Sequence, residues 1–222
     1  MKHLLSVGLL LFTSITFGQK KVVLNNFHKD SVTFYIGFQK LHETFNYLQA
    51  AQKFSTDNAG SMLRKVDIHR LVVPLKDNEP KLGEPANTTF LLNIYSVDTL
   101  TGAPGASPTR EPLKIKNEAN SIIKIDLTKF NFIIPGKTFF VGIEWLHDQR
   151  NQRFMSPHSD EFELRKSSET DDLIYQPLLG MVKNKKTTSD ALVMTPEHKW
   201  IMYTHNLPYM TDLSITAHII TK

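Results

Sequence analysis

Apolar and polar side chains alternate along much of this chain. The alternation is clearest over residues 32–39, 139–145 and 212–219, and a shorter stretch of the same kind covers residues 123–127. Successive side chains of a β-strand point to opposite faces of its sheet. The pattern therefore predicts antiparallel strands that bury one face and leave the other toward solvent.

Further strands are predicted by composition. Residues 62–73 and 88–97 are rich in β-forming side chains and apolar on both faces, as central strands often are. Less regular strands are predicted at residues 22–27, 173–175, 191–194 and 200–203. About ten short strands separated by proline- and glycine-rich turns predict an all-β fold, an antiparallel β-sandwich of jelly-roll-like type with little helix in the mature chain.

Two segments do not follow this pattern. Residues 41–53 carry apolar side chains at both helical and strand spacing, and the pattern slightly favours an extended or mixed conformation over a helix. Residues 151–172 are rich in charge and poor in apolar periodicity, which predicts a long excursion from one end of the sandwich. Long ordered loops carry function more often than short ones, so this excursion is one place to look for a site.

The N-terminus has the three-part layout of a secretory signal peptide. A basic start at Lys2 precedes an apolar run over residues 4–15, and small side chains follow at Thr16 and Gly18. The apolar run is shorter than the roughly 20 residues that a membrane-spanning helix needs. We predict cleavage after residue 18, no transmembrane segment afterwards, and an exported protein that is periplasmic, associated with the outer membrane or secreted.

Composition limits the class of protein further. The chain has no cysteine, so the mature region, residues 19–222, is expected to fold as a single domain held together by burial alone. The formal net charge of +4 is modest, and the one dense basic cluster, Lys183, Lys185 and Lys186, is expected to be a solvated loop. The charge pattern therefore argues against nucleic acid as a partner.

Three segments resemble a known group of proteins. Residues 93–105 read NIYSVDTLTGAPG, residues 125–131 read IDLTKFN and residues 138–145 read TFFVGIEW. They resemble secreted β-sandwich domains of uncharacterised function that are common in envelope proteins of Bacteroidetes, sometimes near carboxypeptidase-regulatory-like modules. The resemblance implies architecture and cellular address but no chemistry, and this chain shows no separate regulatory module.

Within the first of these segments, Asp98 is placed to cap the turn that glycines 102 and 105 allow. A calcium site is the alternative for Asp98. Calcium needs six or more oxygen ligands, and a single local carboxylate supplies too few. The turn cap is therefore the favoured interpretation.

No catalytic residue, cofactor site or metal site is predicted. The sequence has no nucleophile elbow, no phosphate-binding glycine loop and no thiol. The densest set of possible metal ligands lacks the spacing of a zinc site and is expected to belong to the solvated excursion; its members are His147, Asp148, His158, Asp160 and Glu161.

The predicted strand at residues 138–145 carries the candidate ligand-binding residues. Phe140 and Glu144 lie on the face opposite its apolar row, Gly142 lies between them, and His147 lies just beyond. An aromatic ring and a carboxylate with a gap between them are suited to stacking a sugar ring and accepting its hydroxyl hydrogens. A bulky neighbour packed over the glycine is the ordinary alternative.

The two tryptophans have a different prediction. Trp145 falls in the apolar row of its strand and is expected in the core, and Trp200 is expected to cap the end of a core.

Together these observations predict an exported, non-catalytic β-sandwich that binds a protein or glycan partner at the cell envelope. The alternatives are a structural or accessory subunit of an envelope assembly and, less favoured, a hydrolase.

Overall fold

A computed structural model describes most of the predicted mature chain. The described residues are 19–25, 27, 31–39, 47–71, 88–107, 113–116, 120–148, 151–155, 164–165, 172–204 and 208–221. The predicted signal peptide, residues 1–18, lies outside them, as do His158, Asp160 and Glu161, the possible metal ligands within the 151–172 excursion.

Strands dominate this part of the chain. Beside one 3-10 turn, Thr128–Phe130, the described residues form β1 (Lys20–Asn25), β2 (Val32–Gln39), β3 (Gln49–Ser55), β4 (Met62–His69), β5 (Thr89–Tyr95), β6 (Leu113–Lys116), β7 (Ile122–Asp126), β8 (Phe132–Ile133), β9 (Thr138–Trp145), β10 (Gln152–Met155), β11 (Leu164–Arg165), β12 (Asp172–Lys183), β13 (Ala191–Met194), β14 (Trp200–Met202), β15 (Thr211–Leu213) and β16 (Ile215–Thr221). In the described ranges there is no α-helix, and so none that is long and apolar enough to cross a membrane.

The strands make two layers. One layer is a six-stranded antiparallel sheet in the order β14-β13-β3-β9-β5-β6. The other layer, which we call the back layer, contains the sheet β1-β16-β4-β7 with β8 on β4, and the sheet β11-β10-β12-β15 with β2 on β12. Ser214 joins these two sheets, because its carbonyl accepts the His69 amide at 2.9 Å and its amide donates to the Gly180 carbonyl at 2.8 Å.

The core lies between the layers and draws on all three sheets. Phe90 and Phe139 of the six-stranded sheet, Leu63 and Ile68 of β4, and Ile36 of β2 belong to one buried apolar cluster. The chain changes layer repeatedly, as it does in double-sheet jelly rolls. The prediction of an all-β antiparallel sandwich is confirmed.

The two irregular segments are partly strands. Residues 49–53 belong to β3, so this part of the 41–53 segment is extended, while residues 41–46 lie outside the described ranges. The excursion contributes β10 and β11. Strand β12 is far longer than the three residues predicted. Its pairing with β2 shifts register between Tyr175 and Leu179, and this irregularity breaks the side-chain alternation from which strands are predicted. The sequence therefore showed only part of the strand.

His69 lies at the seam of the back layer, and its burial predicts acid sensitivity. Its ring stacks with Tyr35 at 6.0 Å between centroids, the buried Arg70 follows it, and its Nδ1 has no hydrogen-bond partner among the described residues. Burial lowers the pKa of His69 below its usual value. The unfolded chain therefore binds this proton more readily, so stability is full above the unfolded pKa of about 6.5 and is lost as the pH falls below it.

We expect the free energy of unfolding, measured in urea between pH 7 and pH 5, to decrease with acid and to depend on His69. The slope from one proton is at most about 1.4 kcal/mol per pH unit. His69→Gln should flatten the profile, whereas His198→Asn, in an exposed turn with φ of 58°, should leave it unchanged. A His69→Gln profile as steep as that of the parent would assign the acid sensitivity to other groups.

Candidate ligand-binding face

The six-stranded sheet has one face toward the core and one face away from it, which we call the outer face. Strand β9 lies in this sheet and contributes side chains to both faces. Phe139, Val141, Ile143 and Trp145 point inward and are at most 3% exposed. Phe140, Gly142 and Glu144 therefore lie on the outer face, as the alternation predicts.

Strand pairing places Glu144 in a row of outer-face side chains. Trp200 is paired with Met194, Met194 with Gln49, and Gln49 with Glu144, which in turn is opposite Leu91. Neighbouring strands lie about 4.8 Å apart, so the row from Trp200 to Glu144 spans about 14 Å. Strands from three separate regions of the sequence, β3, β9 and the neighbouring pair β13 and β14, thus supply one continuous surface.

Hydrogen bonds hold the polar side chains of this surface. Asn93 Nδ2 donates to Glu144 Oε2 at 3.3 Å, and the Tyr95 hydroxyl donates a short hydrogen bond to Gln49 Oε1. Burial, with a smaller contribution from the Glu144 charge, raises the pKa of Tyr95 well above its usual value. Tyr95 therefore stays protonated and keeps donating to Gln49, while Glu144 offers carboxylate lone pairs.

Aromatic side chains form the other part of the face. Tyr95 and Trp200 pack edge to face, with ring centroids 5.7 Å apart and planes at 74°. Trp200 is partly exposed and covers a small buried cluster of Ala51, Tyr95 and Phe140. Trp200 thus caps a core, as predicted, but this core is the small outer cluster.

The structure corrects the expected gap beside Phe140. Phe140 is 0% exposed, so its ring is packed rather than presented to a ligand. A Cβ added to Gly142 would lie 2.6 Å from Cε2 of Tyr95. The space at Gly142 is therefore filled by the Tyr95 ring, which is the ordinary reason for a glycine inside a strand.

The other two candidate residues lie apart. Glu144 is partly exposed on the outer face. His147 is exposed and follows the inward row of β9, where its ring lies 4.8 Å from that of Tyr175, a residue of the main core. Glu144 and Phe140 thus share the outer face of β9 without any recorded contact, and His147 does not lie on that face. A ligand-binding role for these three residues stays a prediction.

Sequence reasoning missed Gln49, Asn93 and Tyr95. Gln49 lies in the ambiguous 41–53 segment, and Asn93 and Tyr95 lie in a strand that is apolar on both faces. The available signal was Asn93 itself, an amide within an apolar run, which needs a partner when it is buried.

Two further predictions are confirmed. Trp145 is 3% exposed, and its Nε1 donates to the Pro177 carbonyl at 2.9 Å. Asp98 Oδ1 accepts the amides of Leu100 and Thr101 at 2.9 Å each. These bonds to the charged form lower the pKa of Asp98 and identify it as the cap of its turn.

The structure groups no three histidine or acidic residues in a way that suits a metal ion within the ranges it describes. Of the possible ligands named from the sequence, His158, Asp160 and Glu161 lie outside those ranges.

Comparison with known proteins leaves the family open. No family model matches this chain, and no curated protein matches it. Among solved structures it is similar to the crystal structure of the cysteine protease and lectin-like domains of Cwp84, a surface layer associated protein of Clostridium difficile, with 12% sequence identity and a TM-score of 0.48. The match covers 80% of this chain and 33% of that one, so the chain spans about a third of the length of that protein.

The strands and their pairing define the class of the fold, an all-β antiparallel sandwich. The resemblance to Bacteroidetes envelope domains stays a prediction.

Proposed function

We propose that this protein is an exported, non-catalytic β-sandwich that binds a glycan at the cell envelope through its outer face. The observation that carries the proposal is the row that joins a partly exposed Trp200 to a partly exposed Glu144 across four paired strands. The face therefore offers an aromatic surface at one end and a carboxylate at the other.

These groups match the chemistry of a saccharide. A sugar ring presents C–H groups on its faces and hydroxyl groups at its rim. The Trp200 indole supplies a large apolar surface, Glu144 accepts hydrogen bonds, and the Gln49 amide both donates and accepts. The separation of about 14 Å between the two ends of the row leaves room for more than one ring.

The packing beneath the face supports binding because it preorganises these side chains. Tyr95 lies under Trp200 and fills the space above Gly142, while Asn93 holds one carboxylate oxygen of Glu144. A rigid surface loses little conformational entropy when a ligand binds.

We expect Trp200→Ala to weaken glycan binding at least tenfold. The measurement is a glycan array probed with the chain that starts at Gln19, followed by calorimetry on the best ligand. A tenfold loss corresponds to about 1.4 kcal/mol of binding free energy. This is a modest effect for removing a side chain with as large a contact area as an indole. Glu144→Gln, which keeps the shape of the side chain but removes its charge, should weaken binding in the same direction.

Ile201→Ala is the matched control. Ile201 neighbours Trp200 on β14 and is 44% exposed, but it follows the inward alternation of the strand. It should bind glycan as the parent does, and thermal melts should show that all three variants remain folded. The glycan proposal is wrong if Trp200→Ala and Glu144→Gln are both folded and bind glycan like the parent. It is also wrong if the array identifies no glycan and a pull-down recovers a protein whose binding depends on Trp200.

A further inference from the structure

A second surface of the protein carries a charge of its own. A groove of about 660 Å³ is lined by parts of β1 and β3, by the turn that follows β12, and by Asp190 and Asp212. Its volume is in the range of about 300 to 1,000 Å³ that is usual for small-molecule sites. We call it the lysine groove.

Four lysines line the lysine groove. Lys183 is the last residue of β12, Lys185 and Lys186 come from the turn that follows it, and Lys53 comes from β3. The sequence presented the first three as a solvated loop. All three are exposed, as that prediction requires. The fold also places them beside a fourth lysine that is distant in the sequence, and this concentrates positive charge along one groove.

The acidic residues of the groove do not cancel this charge. Asp212 is 3% exposed and uses Oδ1 to accept the Asp190 amide at 2.7 Å. The Asp190 carboxylate forms a short ion pair with Lys186. Four lysines against these two aspartates leave a formal charge of +2 in the groove.

The turn that carries the lysines is held in place. Asn184 Oδ1 accepts the backbone amide of Lys186 at 3.0 Å, and the backbone amide of Asn184 donates to the Met210 carbonyl at 2.9 Å. Lys183 Nζ lies 4.6 Å from the centre of the Tyr209 ring, a contact that keeps its charge. The lysines therefore extend from a fixed backbone.

We propose that the lysine groove binds a small ligand that bears a phosphate or sulfate ester. Lysine ammonium groups are compact charges with three rotatable donors, and several of them converge readily on a tetrahedral oxyanion. Val23, Leu24 and Phe54 give the groove an apolar wall for the uncharged part of such a ligand. The proposal does not depend on glycan binding at Trp200 and Glu144.

The test measures binding of inorganic pyrophosphate and of a sulfated disaccharide by calorimetry at low salt. Lys53→Gln combined with Lys185→Gln should weaken both probes about tenfold, since each ammonium contributes a partly screened charge pair. Neither lysine forms the Asp190 ion pair or the Tyr209 contact, so the turn should be preserved. Raising the salt concentration to physiological strength should weaken binding of both probes by the parent, because salt screens the charges.

The matched control is Lys124→Gln combined with Lys199→Gln, two exposed lysines that are not among the groove residues. It removes the same net charge and should change affinity less than twofold. Competition between pyrophosphate and vesicles of neutral or anionic lipid identifies the source of the ester. If anionic vesicles compete with pyrophosphate, the ligand is a lipid headgroup. If they do not compete, the ligand is a soluble ester. The proposal is overturned if neither probe binds at millimolar concentration, or if both lysine pairs weaken binding equally.

Discussion

Replacing Phe140 with alanine is expected to lower the free energy of unfolding by about 3 to 5 kcal/mol. Phe140 is 0% exposed and packs with Ala51 and Tyr95 on the outer face. Removing the ring leaves a cavity beneath Tyr95, and the sheet backbone on which it sits has little freedom to close it. Urea unfolding of the parent and the variant measures the difference.

Phe130→Ala is the control, because Phe130 is 50% exposed and should contribute less than about 1 kcal/mol by the same measurement. If Phe140→Ala costs no more than Phe130→Ala, then the ring of Phe140 is accessible, and its role as an aromatic platform for a ligand becomes the better interpretation. The experiment therefore separates a packing role for Phe140 from a binding role.

Asn151→Ala is expected to lower the free energy of unfolding by about 3 kcal/mol, since three hydrogen bonds of about 1 kcal/mol each are lost. Asn151 Oδ1 accepts the Thr89 amide at 3.1 Å, and Nδ2 donates to the carbonyls of Thr89 and Leu146 at 2.7 and 3.0 Å. The amide side chain thereby pairs with the first residue of β5 as a neighbouring strand would. Urea unfolding again measures the effect.

Asn58→Ala is the matched substitution in an exposed turn and should change stability by at most about 0.5 kcal/mol. A loss below about 1 kcal/mol for Asn151→Ala would mean that water replaces the side chain in all three bonds. Because Asn151 is 0% exposed, we expect the donors and acceptors it leaves behind to stay without partners.

The two proposed sites can be tested independently of each other. Trp200 is not among the groove residues, so Trp200→Ala should keep full affinity for pyrophosphate. The Lys53 and Lys185 double variant should keep its affinity for an uncharged glycan. Loss of both activities in either variant would indicate a folding defect.

Local features were predictable from the sequence because their physical causes are local. The alternation along β9 placed Trp145 in the core and Phe140 and Glu144 on the other face, since a strand turns successive side chains to opposite sides. Asp98 was identified as a turn cap because it bonds to amides two and three residues away. Those results depend on neighbours in the chain.

The tertiary structure alone decided what meets across the strands. It placed Tyr95 over Gly142, joined Asn151 to Thr89, and brought Lys53 to the turn after β12. Each contact depends on which strands pair and in which register, and alternation within one strand carries no information about its partner. The sequence by itself therefore determined the all-β class and the faces of individual strands, whereas strand pairing determined which of those faces are covered and which side chains form a site.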